Sequence, residues 1–337
     1  MALALEEARK GVGRTAPNPP VGAVIVKDGV LLGKGWHRAV GQPHAERVAL
    51  AEARQAFGHD ALLGSTVYVT LEPCSTHGRT PPCVAGLIEA GVGRVVYAVA
   101  DRNPAHLGRA DALLREAGIT VDSGVAADAA LNLLRPFFKV QETGLPWVIW
   151  KAAMSLDGRL TRPPGEGQWL TGPEARADVQ LIRSQIEAVV TSGETARRDL
   201  PRLTVRELGL LDGRAQPWRI VLTARPESLP AESPLLTDQS RERTLVRNGE
   251  NLEQVLRDLV AGQGVLSVLL ESGGILAASF LEAALVDEVV MYLAPMLCGG
   301  ETSALSGSGV VSGLDRASIT FEKIGADVRL RGRIVRP

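Results

Sequence analysis

The 337 residues are 45% hydrophobic and 22% charged, a soluble globular balance in a chain too long for one average domain. A formal net charge of −1 lacks the basic footprint of a nucleic-acid binder. The opening "MALALEEARKGVGR" is too polar for a signal peptide, and no run of about 18 apolar residues offers a membrane span. The expectation is a cytoplasmic protein with a small-molecule partner, no nucleic acid and no membrane.

In chain order, "VGAVIVKDGVLLGKGWH" places two apolar runs around Lys27-Asp28-Gly29, predicting a β-hairpin with strands over 21–26 and 30–36. "PHAERVALAEARQA" then repeats apolar residues at helical spacing, putting His44 and Glu46 at a helix N-terminus. "STVYVTLEP" reads as a strand ending near Cys74, and "PCVAGLIEAGV" as a helix with Cys83 in its first turn. "RVVYAVA", "ADALLREAGI" and "ITVDSGV" continue the alternation, giving an α/β domain. A Gly-Pro linker in "PFFKVQETGLPWVIW" sets a boundary that divides the chain into 1–144 and 145–337. Beyond it the strands "AVVTSG", "RIVLT", "VLSVLLE", "DEVVMYLAP" and "DVRLRGRIV" and the helices "PEARADVQLIRSQI" and "GILAASFLEAAL" predict a second α/β domain.

The chain has three cysteines, and all five histidines fall in its first third. Cys298 reads as a small buried residue. In a reducing compartment a disulfide between Cys74 and Cys83 is disfavoured against a metal or a catalytic thiol. The two helix N-termini aim positive dipole ends at the space between them, which stabilises thiolates. His44, Cys74 and Cys83 then supply three zinc ligands and leave a fourth position open, the catalytic arrangement, in which bound water becomes nucleophilic near neutral pH. Glu46 is placed to shuttle the proton. His-x-Glu followed by Pro-Cys and a second Cys is the zinc deaminase signature, here with eight residues between the cysteines instead of the usual two. The competing reading is a closed structural zinc site with His77 as fourth ligand, in which Glu46 has no role.

That longer loop, "PCSTHGRTPPC", with "APNPPVGAVIVKDG" and "GKGWHRAVGQPHAE", resembles the deaminase domain of the bifunctional riboflavin-biosynthesis deaminase-reductases. The resemblance implies that Asn18 binds the pyrimidine and that His77 and Arg79 hold the substrate or its phosphate.

The second half contains no G-x-G-x-x-G, so a Rossmann site is not indicated. "ESGGILAASFL" does run from a strand through a glycine turn into a helix, a good place for a phosphate. "KAAMSLDGRL", "GQWLTGPEARADVQLIRSQIEAVVTSGET", "DLPRLTVR" and "VDEVVMYLAP" resemble, in order, the reductase domain of the same family. The resemblance implies a cytidine-deaminase-like domain followed by a dihydrofolate-reductase-like domain. It puts Ala153, Trp169, Thr195, Asp199 and the turn Gly273, Gly274, Ile275, Leu276 and Ala277 around NADPH. It puts Lys151, Asp157, Arg183, Leu203, Arg206 and Glu271 on the substrate side, with Arg183 and Arg206 suited to a phosphate. It also implies zinc-dependent deamination of a phosphorylated diaminopyrimidine, NADPH-dependent reduction of its ribosyl chain, and a homo-oligomer formed through the reductase domain. Gly167, Leu200 and Thr223-Ala224 depart from the family pattern, and the alternative they raise is a deaminase with an impaired reductase-like domain.

Overall fold

A computed structural model describes residues 1–76, 81–103, 107–167, 169–307, 309 and 312–335. The chain forms two compact units, Met1–Gly144 and Leu145–Pro337.

The first unit runs α1 (Ala2–Arg9), β1 (Gly22–Lys27), β2 (Val30–Trp36), α2 (Ala45–Phe57), β3 (Thr66–Leu71), α3 (Cys83–Glu89), β4 (Arg94–Val99), α4 (Arg109–Glu116), β5 (Thr120–Ser123) and α5 (Ala127–Thr143). Its sheet has the order β2-β1-β3-β4-β5, antiparallel at the hairpin side and parallel from β3 onward. Asp28 and Gly29 both have positive φ, 51° and 77°, the two-residue turn whose twist suits a tight hairpin. Alternation along β4 builds a core on each face: Val95 and Tyr97 join the cluster with α2, α3 and α4, whereas Ala98 joins α1 and α5. The two-turn α1 has no counterpart among the expected elements. Its sequence is short and acidic, yet it buries Ala4, Leu5, Glu7 and Ala8.

Two glycines on β2 set how closely α2 lies. A Cβ on Gly33 would come within 2.4 Å of the Ala49 carbonyl oxygen, and one on Gly35 within 2.6 Å of the Ala45 carbonyl oxygen. The helix carrying His44 at its start therefore rests directly on strand backbone.

The second unit comprises β6 (Trp147–Ser155), α6 (Pro173–Ser184), β7 (Ala188–Ser192), α7 (Gly193–Asp199), β8 (Trp218–Leu222), α8 (Pro234–Thr237), β9 (Thr244–Arg247), α9 (Leu252–Gln263), β10 (Ser267–Leu270), α10 (Gly274–Glu282), β11 (Glu288–Ala294), β12 (Gly313–Leu314), β13 (Thr320–Ile324) and β14 (Asp327–Val335). Its sheet runs β12-β14-β11-β6-β10-β7-β8-β9, with β13 paired to β14. From β11 to β9 neighbouring strands are parallel. Such strands are covered on both faces. Val148, Trp150, Val268 and Leu270 pack with α9 and α10, while Ile149, Val189 and Leu269 pack with α6 and α7. Cys298 differs from its expected burial: it is half-buried, and its backbone N–H donates to Asp157.

Candidate active sites

In the first unit two helix starts and one strand end converge. His44 is the N-cap of α2, Cys83 is the first residue of α3, and Cys74 follows the end of β3 by three residues. His44 Nδ1 lies 3.5 Å from Cys74 Sγ and 3.4 Å from Cys83 Sγ, and the three ligand atoms all lie within 4.8 Å of one another. Zinc bonded to nitrogen and sulfur at its usual lengths and tetrahedral angle needs an N···S edge of about 3.6 Å, so this donor set fits zinc.

The electrostatics of the cluster suit an anionic ligand. The Cys83 backbone N–H donates to Cys74 Sγ at 3.2 Å. A hydrogen bond from the Cys83 thiol, assisted by His44, pulls the Cys74 thiol down to about 4, and that same contact pushes Cys83 well up. Glu46, the second residue of α2, is 4% exposed, and burial raises its carboxyl above the usual range. A carboxyl that readily holds a proton is what a proton carrier requires.

Two further residues escaped the sequence reading. Asn18 Nδ2 lies 2.9 Å from His37 Nε2, and His37 Nδ1 lies 3.2 Å from the Pro43 carbonyl. Donation by Nδ1 to that carbonyl leaves Nε2 as the acceptor for the Asn18 amide, which fixes which way the amide faces. Burial lowers the His37 pKa, in keeping with the neutral ring this requires. Glu72, between β3 and Cys74, accepts from the N–H groups of Asp101 and Ala110 at 3.2 and 3.3 Å. It ties the segment after β4 to the strand that delivers the cysteine. His37 stood in the sequence as an isolated histidine and Glu72 as one of many glutamates, so neither carried a signal. His77 and Arg79 lie outside the described residues.

The second unit has a cavity of about 520 Å³ that brings together Lys151, Ala153, Trp169, Arg183, Thr195, Asp199, Leu203, Arg206, Glu271 and Gly273. Its floor is a buried charge cluster. Glu271 accepts from Arg183 Nε at 2.5 Å and Nη2 at 2.9 Å, with Lys151 Nζ 3.8 Å away. Burial alone would raise the Glu271 carboxyl, but the Arg183 and Lys151 charges hold it down at about 2. Burial lowers the Lys151 pKa. Arg183 is thus no solvated helix residue: its charge is committed to Glu271, whereas Arg206 presents an exposed side chain to the cavity.

The other expected residues stand beside this cavity and not along it. Asp157 accepts from the N–H groups of Cys298 and Gly299 at 3.0 and 2.7 Å, and so orders that loop. Gly274 has φ 58°; Ile275 is exposed, Leu276 packs into the core, and Ala277 is fully buried. A Cβ on Gly273 would meet Leu160 Cδ1 at 2.1 Å. This corner at the start of α10, the half-exposed Trp169 ring and the Arg176 guanidinium 5.3 Å from that ring's centroid suit a phosphorylated nucleotide.

Fold and sites together define a two-unit metabolic enzyme: a zinc deaminase of the cytidine-deaminase type followed by a reductase. The family model for the cytidine and deoxycytidylate deaminase zinc-binding region matches residues 1–99, and that for the RibD C-terminal domain matches residues 146–330. The riboflavin biosynthesis protein RibD of Escherichia coli (strain K12) is 42% identical over 90% of this chain and 89% of its own length. That of Mycobacterium tuberculosis (strain ATCC 25618 / H37Rv) is 42% identical over 98% and 95%. Among solved structures, Acinetobacter baumannii RibD superposes with a TM-score of 0.86 at 37% identity, covering 99% of this chain and 98% of that one. The Thermotoga maritima diaminohydroxyphosphoribosylaminopyrimidine deaminase/5-amino-6-(5-phosphoribosylamino)uracil reductase gives 0.86 at 31% identity, covering 99% and 97%. The chain belongs to the RibD family of bifunctional riboflavin-biosynthesis enzymes, and it carries both the zinc-binding deaminase unit and the NADPH-dependent reductase unit.

An impaired reductase is not favoured. Gly167 has φ 99°, a conformation that a serine would adopt only under strain. Leu200 lines the cavity, and Thr223 keeps the turn after β8 by accepting from the Arg225 N–H at 3.1 Å.

Proposed function

We propose that His44, Cys74 and Cys83 hold the zinc of the deaminase unit and that Glu46 is its proton carrier. The observation that carries this reading is the pair of N···S distances of 3.5 and 3.4 Å beside a buried carboxyl. When bound, zinc supplies the Lewis acidity that makes water nucleophilic at neutral pH. Asn18, its amide oriented by His37, binds the pyrimidine ring of 2,5-diamino-6-(5-phosphoribosylamino)pyrimidin-4(3H)-one. Glu46 takes the proton of the attacking water and delivers it to the departing 2-amino group, which leaves as ammonia. His77 and Arg79 hold the substrate or its phosphate.

In the reductase unit, Ala153, Trp169, Thr195, Asp199 and the segment from Gly273 to Ala277 hold NADPH, which supplies the hydride that converts the ribosyl chain to ribityl. Lys151, Leu203 and Glu271 shape the substrate side. Arg183 acts there by fixing Glu271, and Asp157 by ordering the loop at 298–299. Arg206 is the cation for the substrate phosphate, because the Arg183 charge is already met. Residence in the cytoplasm and association of copies through the reductase unit belong to the same reading, and the family likeness supports both.

Mass spectrometry of the diaminopyrimidine phosphate, incubated with pure protein, tests the two activities separately. The reading expects exchange of an amine for an oxo group without NADPH, followed by gain of two hydrogens only with it. No amine exchange by the zinc-loaded protein would overturn the deaminase assignment. No reduction of supplied deaminated intermediate would overturn the reductase assignment.

A further inference from the structure

The segment Arg202–Arg206 separates two cavities of the reductase unit. One is the active-site cavity of about 520 Å³; the other, of about 580 Å³, is lined by Gln216, Thr237 and Ser240, among others. Arg202, Thr204 and Arg206 line both.

This wall belongs to no helix or strand, yet its backbone polar groups are bonded in succession by side chains. Arg219 Nη1 donates to the Arg202 carbonyl at 3.0 Å, and Arg183 Nη1 to the Thr204 carbonyl at 3.0 Å. Gln216 takes both sides of Val205, accepting from its N–H at 2.7 Å and donating to its carbonyl at 2.8 Å. Gln180 accepts from the Arg206 N–H at 2.8 Å. Beneath these bonds Leu203 has φ 53° and is 3% exposed in the core. Two consecutive peptide groups, 204–205 and 205–206, each bonded at both carbonyl and N–H, have little freedom to rotate. The direction in which Arg206 leaves the backbone is fixed accordingly.

We infer that Gln216 is a positioning residue for phosphate recognition in the reductase site: by clasping the Val205 peptide from the second cavity, it aims Arg206 into the first. The inference rests on the reading that Arg206 meets the substrate phosphate. Gln216 lines the second cavity and not the active-site cavity, so its effect is transmitted through the wall.

The test compares the deaminated intermediate with its dephosphorylated form as reductase substrates, in the full-length enzyme and in Gln216→Ala and Arg206→Ala variants. Gln216→Ala is expected to raise KM for the phosphorylated substrate about ten-fold. KM for NADPH, deaminase activity and kcat/KM for the dephosphorylated substrate should stay unchanged. Gln216→Glu keeps the acceptor for the Val205 N–H but sets a carboxylate against its carbonyl. It should fall on the same side, and it serves as the test should the alanine variant not fold. Equal losses on both substrates, or no loss, would overturn the inference while Arg206→Ala still shows a phosphate-selective defect. Absence of that defect in Arg206→Ala would instead overturn the phosphate reading beneath it.

Discussion

The deaminase site and the reductase site are assembled by different means. In the deaminase unit backbone places the chemistry: α2 begins at His44, α3 begins at Cys83, and α2 lies on the Gly33 and Gly35 backbone with no side chain between them. In the reductase unit side chains place other side chains and loops: Arg183 holds both Glu271 and the Thr204 carbonyl, while Gln180 and Gln216 hold the neighbouring peptides. A site placed by backbone is vulnerable where a helix can be displaced. A site placed by side chains is vulnerable wherever one buried polar partner is removed.

The sharpest way to separate the two units is Glu46→Gln. Ammonia release should fall by about two to four orders of magnitude, with zinc content by elemental analysis and reductase turnover of supplied intermediate both retained. Loss of zinc would show that Glu46 is structural.

Next in size is Glu271→Gln, which leaves Arg183 and Lys151 buried without their carboxylate. Breaking a buried pair on one side costs about 3–5 kcal/mol, so the reductase unit's thermal transition should drop well below its wild-type value while deaminase activity survives. The acid limb adds a signed check. The Glu271 carboxyl titrates at about 2 in the fold against an ordinary 4.5, so its contribution is complete above about pH 4.5 and is lost as pH falls towards about 2. The stability gap between wild type and variant should close over that window, as followed by thermal melts; a gap independent of pH would deny the ion pair its role.

A smaller effect tests backbone placement. Gly35→Ala should cost about 1–3 kcal/mol by forcing α2 away from β2, and it should weaken zinc retention against a chelator while leaving the reductase untouched. Unchanged zinc retention would detach the metal site from the α2–β2 contact. Smallest of all, His37→Phe removes one orienting hydrogen bond from Asn18. A rise of about 3–10-fold in the deaminase KM is expected, without loss of metal; no rise would place Asn18 beyond the reach of that histidine.

The same contrast explains how much could be read from the sequence. His44, Glu46, Cys74 and Cys83 lie in two short stretches whose helix starts are signalled by proline and apolar periodicity, so the candidate donor cluster and the elements presenting it were legible. The hairpin at Asp28-Gly29 was legible too, within one residue of its observed strands. Lys151, Arg183, Arg206 and Glu271 come from separate elements, and only family likeness could gather them. Neither likeness nor pattern showed that Arg183 is spent on Glu271, because that pairing spans 88 positions. The helix α9 has Leu252, Leu256 and Leu259 at helical spacing, yet it is absent from the expected elements. Gln216 and His37 could not be found in advance: each acts through a backbone or amide partner that only the fold supplies.

The position of β6 has a consequence for how the chain is made. Both of its sheet partners, β10 and β11, begin at Ser267 and Glu288, more than a hundred positions downstream. All of the first unit's strands precede residue 124, so that unit can complete its sheet early in synthesis. The apolar strand from Trp147 must instead wait on the order of ten seconds on a translating ribosome before either neighbour exists. During that interval it is an uncovered β-forming stretch with both edges unpaired.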